Sequence, residues 1–284
     1  MAFLDHIHAC NRWDPSAFVP FRVDGVRVGL IRRELAAELR QWPQAFAVGR
    51  EGVDWIHPAF GLDARTAVFA ELLADMVSRG LISHLHGERY PVTAASRFEA
   101  CMLIDRACAP PVGVRAHGQH INGFVRDSGG LRVWIARRAR DRRVAPGRLD
   151  NRVGGGLPWG LSLAENLRKE CAEEAGIPPQ IADRALPVGA VTYCREGDGG
   201  LKPDVMYCYD LELPPGFTPR CTDGEVESFS LLPAEEVLEI VRDTDQFKLN
   251  CNLVIIDFLV RHGYISQDAP DYLDIIQGLR TPLP

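Results

Sequence analysis

The sequence predicts an α+β chain in two units: a small α+β unit over residues 1–110 and, over 111–284, a mixed sheet with helices on both faces. Three observations predict it. A hairpin signal and helical periods fill the chain up to residue 109, Pro110-Pro111 interrupts it, and beyond that point strand patterns are mixed with helices. The proline pair is the expected boundary between the units.

In the first unit, FVPFRVDGVRVGLI (18–31) places two β-prone runs around Asp24-Gly25, the signal of a tight hairpin. RRELAAELRQW (32–42) is helical and ends before Pro43. DARTAVFAELLADMVSRG (63–80) spaces Val68, Leu72 and Met76 by four and stops at Gly80, so a stronger helix is expected there. RFEACMLIDRACA (97–109) is expected as a third helix, stopped by the prolines. In the second unit, VGVRAHGQHINGFVR and LRVWIARRAR form paired strands joined by DSGG. A glycine loop and a helix follow, then strands near ALPVGAVTYCRE and DVMYCYDLEL and a short strand in ESFSLLP. AEEVLEIVRD is a helix, and FKLNCNLVIIDFLVRHG is a long one ending at Gly263, with the tail beyond it left unassigned.

With 46% hydrophobic and 25% charged residues, the 284-residue chain has the profile of a soluble globular protein and the length for a substantial core. A net charge of −6 lacks the electrostatic footprint of a general nucleic-acid binder. The one basic run, RVWIARRARDRRVAPGR (132–148), reads as a strand end and a solvated loop. No stretch approaches the roughly 18 apolar residues of a membrane span. The N-terminus, with acids, histidines and an early proline, does not read as a signal peptide. Cysteines 10, 101, 108, 171, 194, 208, 221 and 251 are scattered without a CxxC pair, which fits reduced thiols in a cytoplasm and not a disulfide framework or zinc site.

The chemistry concentrates in GGGLPWGLSLAENLRKECAEEAGIPP (154–179). Ser162 followed by Glu165 is a capping box that starts a helix, and Gly176 with Pro178-Pro179 stops it. Leu163, Leu167 and Cys171 form its apolar stripe, and Glu170, Glu173 and Glu174 share the neighbouring edge. Each like-charge pair at that spacing costs roughly 0.2–0.5 kcal/mol. Geometry alone leaves two readings open, a solvated acidic face and a site where clustered carboxylates hold a hard divalent cation. In the second reading the glycines add backbone carbonyls at close range, and the cation keeps substrate phosphates in its shell.

The order and spacing resemble the signature of the Nudix hydrolases. From Gly155 the match runs through Glu170, Cys171, Glu173, Glu174, Gly176 and Ile177, with two departures: Leu161 stands where the pattern has its first Glu, and Lys169 where it has Arg. LDNRVGGGLPWGLSLAENLRKECAEEAGIP is further similar to the subfamily related to the Nudix domain fused to thiamine pyrophosphokinase. FVPFRVDGVRVGLI, GERYPV, HINGFV, KPDVMYCYDLELP and FKLNCNLVIIDFLVRHG extend that likeness over most of the chain. The resemblance implies an α/β/α sandwich preceded by a companion domain of uncharacterised function. It also implies an Mg²⁺- or Mn²⁺-dependent pyrophosphohydrolase acting on a small-molecule diphosphate. The implied substrates are oxo- and oxythiamine diphosphate, with nucleoside diphosphates such as 8-oxo-dGDP as the alternative. A Nudix-fold binding module without catalysis, favoured by Leu161 and Lys169, and an isoprenoid-diphosphate isomerase are the competing classes.

Carried over residue by residue, the resemblance makes Glu170 and Glu174 the metal ligands, Glu173 a further ligand or water-activating group, and the Gly154 carbonyl a backbone ligand. A glutamate from a later loop serves as base in many relatives; Glu225 and Glu227 are the candidates, and strand alternation would point both to one face. Arg152, Gly155, Lys202 and Tyr207 are the substrate-binding candidates, with ordinary surface or core roles as the competing reading. Tyr193, Tyr209 and Trp159 could stack on a planar substrate ring but read first as core, and His117 and His120 could be metal ligands but, with no third partner evident, read as surface or sheet-edge histidines. No nucleic-acid or membrane partner is expected, and a homodimer is one option for an oligomeric state that the residues leave undetermined.

Overall fold

The structure is a computed structural model and describes residues 2–151 and 153–284. The chain opens with helix α1 (Phe3–Cys10) and strands β1 (Phe18–Val23) and β2 (Val26–Arg32). Asp24 and Gly25, both at positive φ, make the tight turn between these strands, as the Asp-Gly signal predicts. Helix α2 (Arg33–Glu38), strands β3 (Phe46–Val48) and β4 (Val53–Trp55) and helix α3 (Leu62–Ser78) follow. The order β2-β1-β4-β3 forms a four-stranded sheet, and Phe69, Leu72, Leu73 and Met76 of α3 are buried in its core.

Residues 97–109 are not a helix. They contain strand β6 (Met102–Asp105), paired antiparallel with β5 (Arg89–Val92), and lead into the short helix α4 (Ala109–Val112). Met102, Leu103 and Ile104 are all buried, so this strand has apolar contacts on both faces and none of the alternation that would separate it from a helix. Pro110 and Pro111 occupy the first turn of α4, where their missing N–H groups cost nothing. The α4 turn packs against β2 on one side and β12 of the second unit on the other.

The second unit consists of β7 (Ala116–Asp127), β8 (Gly130–Arg138), β9 (Leu149–Asn151), β10 (Val153–Gly156), α5 (Leu163–Ala175), α6 (Pro179–Ala182), β11 (Leu186–Gly197), β12 (Gly200–Glu212), β13 (Val226–Pro233), α7 (Ala234–Asp243), α8 (Leu249–Arg261) and α9 (Tyr272–Gly278). Its sheet runs β11-β12-β7-β8-β13, with β10 added to β7 and β9 to β8. The β7–β12 pair is parallel and the others antiparallel, the mixed sheet expected. Ile121 and Val125 of β7 pack with Leu167 and Cys171 of α5, while Phe124 packs with Phe258 of α8. Helices therefore cover both faces, and successive β7 residues feed opposite layers.

The chain ends do not follow the division read from the sequence. Ile7 and Cys10 of α1 are buried with α8 and α9 in the second unit's core, and the ring of His6 bonds the Val241 carbonyl at 2.7 Å. The tail packs back through Ile275 and Leu279. A buried ionic chain locks this end. Asp257 accepts from Arg261 at 2.8 Å and Arg280 at 2.5 Å, and Arg261 in turn pairs with Asp210. Among the described residues, no helix is long and apolar enough to cross a membrane.

Candidate active site

Ser162 and Glu165 cap α5 reciprocally: Ser162 Oγ accepts from the Glu165 amide at 3.2 Å, and Glu165 Oε2 accepts from the Ser162 amide at 2.8 Å. Gly176 ends the helix in the left-handed region. Leu167, Cys171 and Ala175 are buried against the sheet, while Leu163 is half-buried. Buried Asn166 donates to Gln119 at 2.8 Å and to the Gly156 carbonyl at 3.1 Å, and Gln119 donates to the Leu163 carbonyl at 2.9 Å. These bonds hold the helix to β10 and β7 without a charge, so the carboxylates it carries are held in place by neutral groups.

Glu170 and Glu174 are each only 8% exposed. The Gly154 amide donates to Glu174 Oε2 at 3.0 Å. A Cβ on Gly155 would overlap the Glu170 carboxylate, with Oε2 at 2.7 Å, so only glycine lets that carboxylate lie on the strand. Burial raises the pKa of both groups, that of Glu174 well above the usual range. Lys169 lies 3.4 Å from Glu170 and 3.3 Å from Glu173, while among the described residues no cationic side chain pairs directly with Glu174. Two buried, hard-oxygen carboxylates beside a glycine strand fit a divalent cation, which would offset the charge that burial leaves costly. Glu173 sits apart from the pair, with its side chain about half exposed (48%) and turned to Lys169.

The alternation expected for the two later glutamates does not apply to them. The β13–β8 register shifts between Val226 and Ser228, placing Glu227 in the irregularity and defeating the alternation expected from sequence. Glu225 precedes the strand and pairs with Arg142 at 2.7 Å, whereas Glu227 pairs with Arg140 at 3.6 Å. The charge of Glu225 adds to the upward push on the pKa of Glu174. The loop carrying Glu225 is drawn toward α5 because the Thr222 amide and hydroxyl both donate to the Glu173 carbonyl, at 3.0 and 2.6 Å.

Arg152 lies outside the described residues. Lys202, on β12, is 3.8 Å from Asp204, and no described contact joins it to the carboxylate pair. Tyr207 stacks on His117, with ring centroids 6.0 Å apart and planes 14° from parallel. Tyr193 is buried and donates to Asp204 at 2.5 Å. His117 and His120 are not surface residues; both are buried, and desolvation pushes each down to about 4. His120, Asp150 and Cys251 bring their donor atoms within 4.8 Å of one another, a cluster that sequence reading missed. The three come from β7, β9 and α8, so no local spacing announces them. Asp150 is already paired with Arg138 at 2.9 Å and Lys248 at 3.5 Å, so the group forms a charge network behind the glycine strand.

The first unit also reaches this strand. The Trp159 amide donates to the Arg89 carbonyl at 2.8 Å, and Arg97 donates to the Leu161 carbonyl at 2.8 Å. A Cβ on Gly156 would overlap the Tyr90 hydroxyl and lie 3.1 Å from Cζ of Arg106.

Residues 116–251 match the family model described as NUDIX domain, and residues 2–116 match one described as Domain of unknown function (DUF4743). The chain is 40% identical over 290 residues to Nudix hydrolase 20, chloroplastic, of Arabidopsis thaliana, covering 98% of this chain and 78% of that protein. It is also 40% identical over 286 residues to that plant's Nudix hydrolase 24, chloroplastic, again covering 98% and 78%. Among solved structures, DR0079 from Deinococcus radiodurans is 25% identical, covering 63% of this chain and 100% of that one with a TM-score of 0.44. With a glycine strand and carboxylate helix inside the matched region and 40% identity to those plant proteins, the chain belongs to the Nudix hydrolases, enzymes acting on phosphoanhydride bonds.

Proposed function

We propose that this enzyme is an Mg²⁺- or Mn²⁺-dependent pyrophosphohydrolase that cuts damaged thiamine diphosphate, the oxo- or oxythiamine form, to the monophosphate and phosphate. The observation that carries the reading is the pair Glu170 and Glu174, both 8% exposed and lying against Gly155 and Gly154. These two carboxylates and the Gly154 carbonyl would hold the cation, with Glu173 at its outer edge. When bound, the ion supplies charge neutralisation at the phosphates and a lowered pKa for water. The chain's own work is positioning. The Gly154 amide orients Glu174, Asn166 and Gln119 fix the helix, and Lys169 offsets the charge of Glu170 and Glu173. Glu225, drawn to the C-terminal end of α5, is the proposed base that takes a proton from the attacking water, in preference to exposed Glu227.

Lys169 and Leu161 support the thiamine-type assignment through the narrower motif resemblance. We take residues 1–110 and 111–284 as the working division, with Gly155 lining the substrate site and Arg152, Lys202 and Tyr207 as candidate contacts. The eight cysteines are scattered without a CxxC pair, which supports a reducing compartment; we propose the cytoplasm, although the two plant relatives are named chloroplastic.

Phosphate release measured with Mg²⁺ or Mn²⁺ on oxythiamine diphosphate, thiamine diphosphate and 8-oxo-dGDP tests the proposal. The expected outcome is metal-dependent release with kcat/KM at least about tenfold higher for oxythiamine diphosphate, a preference worth roughly 1.4 kcal/mol. Faster release from 8-oxo-dGDP would assign the nucleotide reading instead, and no release from any of them would overturn the function proposed.

A further inference from the structure

We propose that Arg106, a residue of the N-terminal unit, is a substrate-binding residue that contacts the diphosphate held at the Glu170–Glu174 site. This deepens the reading above and rests on it for the position of the diphosphate.

The N-terminal unit is built into the rim of the site. Three consecutive contacts follow the chain out of β10: Tyr90 on Gly156, the Arg89 carbonyl on the Trp159 amide, and Arg97 on the Leu161 carbonyl. Leu161 holds the place where the family signature has a glutamate, so here the first unit reaches into the signature loop itself. Arg106 follows β6 directly, and its guanidinium lies over the Tyr90 ring at 5.8 Å from the centroid. Its Cζ and Nη1 lie 3.1 and 3.2 Å from where a Gly156 Cβ would be, on the opposite face of β10 from the Gly155 position occupied by the Glu170 carboxylate, so a diphosphate meeting both lies across the edge of β10 that is not paired with β7. The charges of Arg106 and Glu170 also act on one another.

Among the described residues, charge balance points the same way. A diphosphate carries more negative charge than one divalent ion offsets, so cationic side chains must meet the remainder. Lys169 is shared by Glu170 and Glu173, Lys248 pairs with Asp150, and Arg142 with Glu225. Arg97 is 6% exposed and turned to a backbone carbonyl. Arg106 donates from Nη1 to Glu88 at 2.9 Å, and its side chain remains 38% exposed. A guanidinium has five N–H donors in a fixed fork, so that single bond leaves donors for phosphate oxygens. Tyr90 and Glu88 restrict the motion of the arginine before any ligand arrives.

The test titrates methylenediphosphonate, a non-hydrolysable diphosphate, into the full-length protein with saturating Mn²⁺. Mn²⁺ affinity is measured separately by electron paramagnetic resonance. Arg106→Gln is expected to weaken the diphosphonate about 10- to 100-fold, the range for a hydrogen bond between charged groups, while Mn²⁺ binding changes less than about twofold. Arg106→Lys keeps the charge without the fork and should lose roughly 3- to 10-fold, which keeps the proposal testable if the glutamine variant fails to fold. Arg168→Gln, on the outer side of α5 where Arg168 pairs with Asp183, should match wild type. Wild-type diphosphonate affinity in the arginine variants, a loss tracking only weaker Mn²⁺ binding, or no diphosphonate binding by the wild-type protein would each overturn the proposal. A wild-type protein that binds the diphosphonate yet releases no phosphate from any diphosphate would refute the hydrolytic function and leave the Arg106 inference to this titration.

Discussion

The amide of Gly154 and the carboxylate of Glu174 meet at 3.0 Å, joining the glycine strand to the last turn of α5. One backbone N–H offsets only part of the cost of a carboxylate that is 8% exposed, so Glu174 is held at a position where a cation is favoured. Glu174→Gln should therefore reduce kcat by a factor of about 10³ or more while leaving the protein folded. It should also stabilise the metal-free protein by roughly 1–3 kcal/mol, because a buried charge is removed. Thermal melts with and without Mn²⁺ read both effects; near-wild-type turnover would refute the ligand assignment.

The pH dependence follows from the same burial. The pKa of Glu170 and Glu174 is raised in the folded protein, so between the ordinary glutamate value and the raised one the folded state binds more protons than the unfolded state. Their contribution favours folding below the unfolded pKa and is lost as pH rises through the folded values. Metal binding must displace those protons and should tighten over the same rise. Relative to Glu174→Gln, the melting temperature of the metal-free wild-type protein is thus expected to fall as pH rises from 4, while Mn²⁺ affinity of the wild type rises.

Gly155→Ala puts a methyl group where the Glu170 carboxylate now lies. The carboxylate has to move, and activity should fall by roughly 100-fold as metal affinity weakens, since displacements near 1 Å at a catalytic centre cost about that much. A crystal structure of the variant with Glu170 undisplaced would contradict this account.

Glu225 and Glu227 are separable by mutation. Glu225→Gln is expected to lower kcat by about 100-fold, the scale of general-base catalysis, whereas Glu227→Gln should change it less than about threefold. Comparing kcat at saturating substrate and Mg²⁺ decides between them.

Asp257 is buried between Arg261 and Arg280. Asp257→Ala leaves Arg261 with Asp210 alone and Arg280 half exposed to solvent, and should cost about 1–3 kcal/mol, visible as a lower urea midpoint with metal affinity at the remaining folded sites unchanged.

Much of the architecture was legible because local chemistry agreed with the final fold. Asp24-Gly25 makes the hairpin, Ser162 with Glu165 caps α5, and Gly176 ends it. The 97–109 segment was misread because a strand buried on both faces has no period to read. Helix α1 was missed, and its burial with α8 and α9 depends on contacts with residues more than two hundred positions away.

The sequence by itself determined the family motif, the α5 boundaries and the grouping of three glutamates on that helix, since capping and helical spacing are properties of neighbours along the chain. Tertiary structure decided the rest. It separated Glu173 from the buried pair, split Glu225 from Glu227 through a register shift, and gathered His120, Asp150 and Cys251 from three elements. It also brought Tyr90 and Arg106 to Gly156. The physical reason is that burial, charge pairing and strand register depend on what lies across space, and a linear spacing records none of these.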